Sequence, residues 1–91
     1  TKFGIENHPN PFNPSTEIRY QLPQAEEVNI VIYNVLGQQV RELVNRKQEA
    51  GSYVVKWNGD NEQGLSVPSG MYFLRMKAGS FIANRKLLLL K

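Results

Sequence analysis

Apolar and polar side chains alternate along much of the chain, and this period of two predicts β-strands. In the clearest case Ile18, Tyr20 and Leu22 point to one face, while the polar residues between them point to the other. Turn residues, above all glycine and proline, separate the alternating runs. The same pattern predicts strands at residues 16–22, 28–33, 52–57, 71–78 and 81–90.

Segment 39–44 is ambiguous from its pattern alone. Val40, Leu43 and Val44 fit either a strand or a turn of helix. The polar residues 45–51 that follow predict a turn. Six or seven short strands, spaced by about ten residues, are typical of an all-β, antiparallel β-sandwich of immunoglobulin or fibronectin type III class.

Residues 1–15 differ in composition from the rest of the chain. Three prolines and three asparagines lie between Asn7 and Ser15, and proline fixes φ and lacks a backbone donor, so turns are favoured over strand pairing. We predict a lead-in from an upstream domain at 1–15, anchored by Phe12, and one β-sandwich domain at 16–91. The absence of an initial methionine favours a piece excised from a longer precursor.

The chain ends in four consecutive leucines between basic residues. A membrane-spanning helix needs roughly 20 apolar residues, so the run predicts a strand. Side chains of a strand alternate between faces, and only one face can enter a two-layer core. We expect the other face to be presented to a partner, and the same strand could pair with a second copy. The predicted recognition residues are Lys86, Leu87, Leu88, Leu89, Leu90 and Lys91.

The last hairpin contains a conflict between its register and its side chains. Gly79-Ser80 predicts a two-residue turn. Counting from this turn places Arg85 opposite Leu74, on the face that should enter the core. A bulge near residues 84–86 would reset the alternation, and we predict one there.

Little in the sequence suggests catalysis, and neither an enzymatic activity nor a cofactor is expected. His8 is the sole histidine and lies in the proline-rich segment, while Glu26 and Glu27 point apart. The chain has no cysteine, which excludes disulfides and thiolate metal sites. Its net charge of +3 comes from basic residues that stand singly or beside acids, so nucleic-acid binding is not expected.

Two weaker binding sites also fit the sequence. Loop 58–64 contains oxygen ligands for Ca²⁺ at Asn58, Asp60 and Glu62, although it lacks the spacing of an EF-hand. Turns in which Asn and Asp bond to their own backbone are the favoured explanation of these residues.

Surface aromatic residues are the second alternative. Tyr33, Phe73 and Phe81 could form a sugar-binding platform. Packing within a small sandwich accounts for them more simply, because few other aromatic side chains are available to fill it.

Five segments, in order and over nearly the whole chain, resemble the type A C-terminal sorting domain of the type IX (Por) secretion system. These segments are Asn10–Thr16, Val31–Gln38, Ala50–Trp57, Pro68–Leu74 and Lys86–Lys91. The resemblance implies a β-sandwich fused behind a secreted enzyme or adhesin, recognised at the bacterial outer membrane and often removed by a sortase-like peptidase.

The resemblance also implies partners, a location and signature residues. The partners are the type IX translocon, the sortase-like peptidase and an N-terminally fused cargo domain. The location is secreted or at the cell surface, reached through the periplasm and outer membrane. Signature residues fall at Gly51, Tyr53, Val55, Gly70 and Tyr72, and the two glycines precede strands, where a turn can require positive φ.

The central segments Tyr33–Gly37 and Trp57–Asp60 also resemble the immunoglobulin-like domain of the flagellar hook-capping protein. This likeness stops before the leucines, so it favours a shared fold over a shared function. The alternative to a sorting signal is a structural or carbohydrate-binding module of a secreted enzyme, or a hook-cap-like assembly domain.

Overall fold

The computed structural model describes residues 2–8, 11 and 15–91. Within these residues seven β-strands form and no helix is present. The predicted all-β sandwich is therefore confirmed. The strands are β1 (Gly4–His8), β2 (Thr16–Leu22), β3 (Glu26–Asn34), β4 (Gln39–Gln48), β5 (Gly51–Trp57), β6 (Gly70–Ala78) and β7 (Phe81–Leu89).

The strands form two antiparallel sheets that face each other across the core. One sheet has the order β1-β2-β5 and the other the order β4-β3-β6-β7. The chain crosses between sheets after β2, β4 and β5, so strands that are distant in sequence become neighbours. This arrangement is typical of immunoglobulin-like sandwiches.

Trp57 lies at the centre of the core, as predicted. Its side chain is fully buried, and its indole Nε1–H donates a hydrogen bond to the carbonyl oxygen of Asp60 at 2.9 Å. The ring contacts Tyr72 edge-on, with 5.3 Å between ring centroids. The other large, fully buried side chains are Ile18, Leu22, Val28, Ile30, Ile32, Leu74, Met76, Leu87 and Leu89.

The first strand departs from the predicted lead-in. Residues 4–8 form β1, which pairs along its whole length with β2, and Ile5 is buried in the core. The boundary expected at residue 15 is therefore not the edge of the sandwich. The physical reason is that the prolines begin only after His8, so the residues before it keep their backbone donors. Phe12, the expected anchor, lies outside the described residues.

The ambiguous segment after residue 38 is a strand. Its pairing with β3 shifts register between Ile30 and Val31, and again between Ile32 and Tyr33. These irregularities disturb the alternation of β4, which explains why its sequence also fitted a helical turn. The strand continues to Gln48, so the turn predicted over residues 45–51 is shorter than expected.

The bulge predicted near residues 84–86 is wrong. Pairing between β6 and β7 is uninterrupted from the Ala78–Phe81 pair to the Gly70–Leu89 pair.

Arg85 resolves the conflict in another way. It stands opposite the buried Leu74, yet its side chain is exposed, because β7 is the last strand of its sheet among the described residues. A charged side chain pointing inward on an outermost strand discourages edge-to-edge pairing with other chains.

Gly70 begins β6 with φ 149°, a conformation that side chains with a Cβ rarely adopt. We expect Gly70→Ala to lower the free energy of unfolding by about 1–3 kcal/mol, measured by urea denaturation. No atom lies within 4 Å of the added methyl group, so the cost would come from the backbone alone.

Gly4→Ala is the matched control. Gly4 also begins a strand, but its φ is not positive, so alanine there should leave stability unchanged or raise it. Equal effects of the two substitutions would contradict the role assigned to Gly70.

Candidate functional site

The terminal leucines divide between the core and the surface. Leu87 and Leu89 are 0% exposed, whereas Leu90 is 48% exposed and Leu88 is half-buried. For Leu87, Leu88 and Leu89 this division follows from the alternation of side chains along β7, and Leu90 comes directly after the strand. Two of the four leucines in the predicted recognition segment therefore pack in the core, and the other two face outward.

Met71 extends the apolar surface on the outer face of the four-stranded sheet. It lies directly opposite Leu88 and is 38% exposed. We call Met71, Leu88 and Leu90 the outer leucine face. The hydrophobic pattern of the sequence does not single out Met71, although counting register back from the Gly79-Ser80 turn places it beside Leu88.

The end of the chain is held against the loop that precedes β6. The backbone N–H of Lys91 donates to Ser69 Oγ at 3.0 Å, and Lys91 Nζ contacts Ser66 Oγ. These contacts keep Leu90 near the sheet instead of leaving it in a frayed terminus. Lys86, at the start of the recognition segment, is exposed and stands opposite Phe73.

The signature glycines and tyrosines form the same local arrangement at the starts of β5 and β6. Gly51 and Gly70 begin their strands with φ 152° and 149°, as the sequence predicted. Two residues later, a tyrosine hydroxyl donates to a backbone carbonyl four residues upstream, Tyr53 to Glu49 and Tyr72 to Pro68, each at 2.6 Å. Each tyrosine thus fixes the entry into its strand.

Tyr72 matches the tyrosine corner of immunoglobulin-like sandwiches, in which the hydroxyl bonds back to upstream backbone. The repetition at Tyr53 gives both signature blocks a structural explanation. Val55, the remaining signature residue, stands opposite Ile18 and packs against the core while half-buried. The signature residues therefore support the sandwich, and they do not gather around a ligand site.

A third tyrosine hydrogen bond joins the two sheets. The Tyr20 hydroxyl on β2 donates to Gln48 Oε1 on β4 at 2.6 Å. Burial raises the pKa of Tyr20. Burial also raises the pKa of Tyr72.

Arg41 contacts both acids of the loop considered for Ca²⁺. Arg41 Nη1 lies 3.0 Å from Asp60 Oδ2, and Arg41 Nε lies 3.9 Å from Glu62 Oε1. Within the described residues, no group of three or more His, Cys, Asp or Glu side chains could hold a metal ion.

The alternative explanation of this loop is confirmed, with Asn61 as the organising residue. Its Oδ1 accepts hydrogen bonds from the backbone N–H groups of Gln63 and Leu65, each at 3.0 Å. These bonds are the Asx-type turns expected of a polar hairpin loop.

The three aromatic residues considered for sugar binding do not form one platform. Tyr33 and Phe73 are cross-strand partners on the outer face and line a groove with Arg75 and Asn84. Phe81 lies elsewhere and stacks on Phe3, with 4.6 Å between ring centroids.

His8 and the paired acids show no arrangement suited to acid–base chemistry. His8 is exposed at the end of β1, and Glu26 and Glu27 occupy adjacent positions of β3, so they point to opposite faces. In the part of the chain that is described, no helix is long and apolar enough to cross a bilayer.

Comparison with known proteins shows where this sandwich belongs. The family model of the FlgD Ig-like domain matches residues 12–80. The chain belongs to the FlgD Ig-like domain family. The predicted resemblance to the hook-capping protein's domain is thus confirmed, and the matched region of this FlgD Ig-like domain ends before the terminal leucines. A search of curated proteins finds no match.

Two solved structures from Porphyromonas gingivalis are similar to this FlgD Ig-like domain. Dimeric latent PorU matches with a TM-score of 0.76 and 19% identity, covering 94% of this chain and 9% of PorU. PorZ matches with a TM-score of 0.66 and 19% identity, covering 97% of this chain and 12% of PorZ. Identities this low show a shared fold, and the chain spans only a small part of either protein. The resemblance to the sorting domain is consistent with both neighbours.

Substitutions along β7 should separate its buried and exposed leucines. We expect Leu89→Ala to lower the free energy of unfolding by about 2–5 kcal/mol, because it leaves a cavity in the core. Leu90→Ala should change it by about 0.5 kcal/mol or less. Urea denaturation measures both, and comparable losses would show that the two leucines do not occupy different environments.

The buried tyrosines predict loss of stability in alkali. When folding raises the pKa of a tyrosine, the folded protein gains stability that is fully present below the unfolded pKa of 10.0. This stability is lost as the pH rises through the folded pKa. Tyr72→Phe should cost about 1 kcal/mol at pH 7, because it removes the bond to Pro68. Above pH 10 its stability should fall less steeply than that of the wild type, and equally steep curves would rule out this contribution.

Proposed function

We propose that this chain is a C-terminal sorting domain that directs a fused cargo protein across the bacterial outer membrane through the type IX secretion system. It acts without catalysis, as a folded signal. The β-sandwich holds β7 in a fixed register, and the secretion machinery recognises what the strand presents.

The observation that carries the proposal is the division of the leucine run. Leu87 and Leu89 fix the strand in the core, while Leu90 and Met71 remain exposed and Leu88 half-buried beside them. A strand that served the core alone would alternate with polar residues, as β2 does. Contiguous exposed apolar side chains on a soluble surface are typical of an interaction site.

The expected free energy of binding suits a transient interaction with the secretion machinery. Fully burying a leucine contributes about 1.5–3 kcal/mol, and Leu88 and Leu90 are already partly covered. Covering the rest of both side chains would therefore contribute roughly 2 kcal/mol before association costs. Met71 adds to this, but the total remains small for permanent attachment.

The structural neighbours support the same system. PorZ is described as an essential bacterial surface component of the type IX secretion system of Porphyromonas gingivalis. On this basis the proposed partners are the type IX translocon, a sortase-like peptidase and an N-terminally fused cargo domain. The proposed destination is the cell surface or the medium, reached through the periplasm.

Export of a reporter tests the proposal. A fluorescent protein fused in front of this domain should reach the exterior of a type IX competent bacterium. Leu90→Asp should leave the reporter in the periplasm, because a carboxylate would be desolvated when the outer leucine face is covered. Fractionation followed by immunoblotting measures the amount in each compartment.

Val54→Asp is the matched control. Val54 is 60% exposed on β5 of the other sheet, so the same substitution there should leave export intact. Thermal denaturation would show that both variants fold. Normal export of a folded Leu90→Asp fusion would overturn the proposed function.

A further inference from the structure

Charge is segregated along the chain in a way that the net value conceals. The chain has eleven basic and eight acidic side chains, and no acid follows Glu62. Residues 1–62 thus carry six basic and eight acidic side chains, a net charge of −2, and residues 63–91 carry five basic ones, a net charge of +5. The β6–β7 hairpin and the chain end are therefore a cationic, acid-free unit.

Two of these cations lie beside the outer leucine face. Alternation along the strands places Arg75 and Lys86 on the same outer face as Met71 and Leu88. Lys86 is two residues from Leu88 along β7, a separation of about 7 Å. Arg75 lies two pairs beyond the Phe73–Lys86 pair, opposite Asn84.

Arg75 forms no ion pair with the described carboxylates, since the ion pairs found among the described residues are formed by Arg19 and Arg41. Glu42 stands opposite Val31, on the far side from Arg75. It instead accepts a hydrogen bond from Asn29.

The acids at the start of β3, Glu26 and Glu27, approach the hairpin at the Gly79 turn. That turn lies at the opposite end of the hairpin from Leu88.

We infer that the outer face of the β6–β7 hairpin docks an acidic protein surface, one with an apolar centre that covers Met71, Leu88 and Leu90 and with carboxylates placed to meet Lys86 and Arg75. This inference rests on the proposed function and names the chemistry of the receptor. Opposite charges around an apolar centre speed association and fix orientation.

Other anionic partners fit this surface less well. Single-stranded nucleic acid is bound by exposed aromatic rings between cations, whereas the most exposed apolar side chains of the outer leucine face, Met71 and Leu90, are aliphatic and the Phe73 ring is half-buried. Membrane anchoring needs apolar side chains that reach about 5–10 Å into the bilayer. Leu88 and Phe73 are instead half-buried, and they form part of a sheet surface suited to a flat protein partner.

Charge reversal in the export assay tests the inference. Arg75→Glu/Lys86→Glu should slow export of the reporter by about tenfold or more, as expected when steering is lost. Lys86→Glu alone, at an exposed position, should give a smaller loss and guards against misfolding of the double variant. Arg75→Lys/Lys86→Arg preserves both charges and should be exported like the unsubstituted domain.

The control makes the same change in net charge at a different place on the domain. Arg46→Glu/Lys47→Glu alters exposed positions on β4, at the other end of the same sheet, and should leave export unchanged. Normal export of the folded hairpin variants, with Leu90→Asp still retained, would overturn this inference and leave the proposed function standing. Export of all variants, Leu90→Asp included, would overturn both.

Two binding measurements distinguish the partner class. The purified domain should bind neither vesicles of phosphatidylcholine and phosphatidylglycerol nor a labelled single-stranded oligonucleotide at physiological salt. Binding to either that is abolished by Arg75→Glu/Lys86→Glu would assign the surface to a membrane or a nucleic acid, and would overturn the inference of a protein partner.

Discussion

The register between β6 and β7 determines what this domain presents to its surroundings. Side chains of a strand alternate between faces, so a slip of one residue would exchange the buried leucines for the exposed ones. The pairing is uninterrupted from the Gly79-Ser80 turn to the Gly70–Leu89 pair. A tight turn at one end and a filled core at the other therefore specify one arrangement of an otherwise uniform leucine run.

The rest of the sandwich supports this register. Tyr72 bonds to Pro68 and fixes the start of β6, the strand that pairs with β7. Trp57 packs edge-on against the Tyr72 ring, which couples the start of β6 to the centre of the core. Contacts of Lys91 with Ser66 and Ser69 hold the chain end beside the same loop. The terminal strand is thus positioned by side chains from several parts of the chain.

Sequence patterns predicted the elements whose alternation is regular, including β2, β5 and β6 and the central place of Trp57. They failed where tertiary context overrides local pattern. Whether β1 pairs depends on β2 being available beside it, and the irregular register of β4 depends on its pairing with β3. Arg85 was predicted to require a bulge because exposure at an outermost strand depends on sheet order. Met71 likewise joins the apolar outer surface only through its pairing with Leu88, which depends on the register of the hairpin.

Thiol accessibility along the terminal strand distinguishes buried from exposed leucines position by position. The chain has no cysteine, so single cysteine variants at positions 87, 88, 89 and 90 can be labelled without background under native conditions. We expect alternation, with protection at 87 and 89, rapid labelling at 90 and an intermediate rate at 88. Uniform protection or uniform reactivity across the four positions would contradict this expectation.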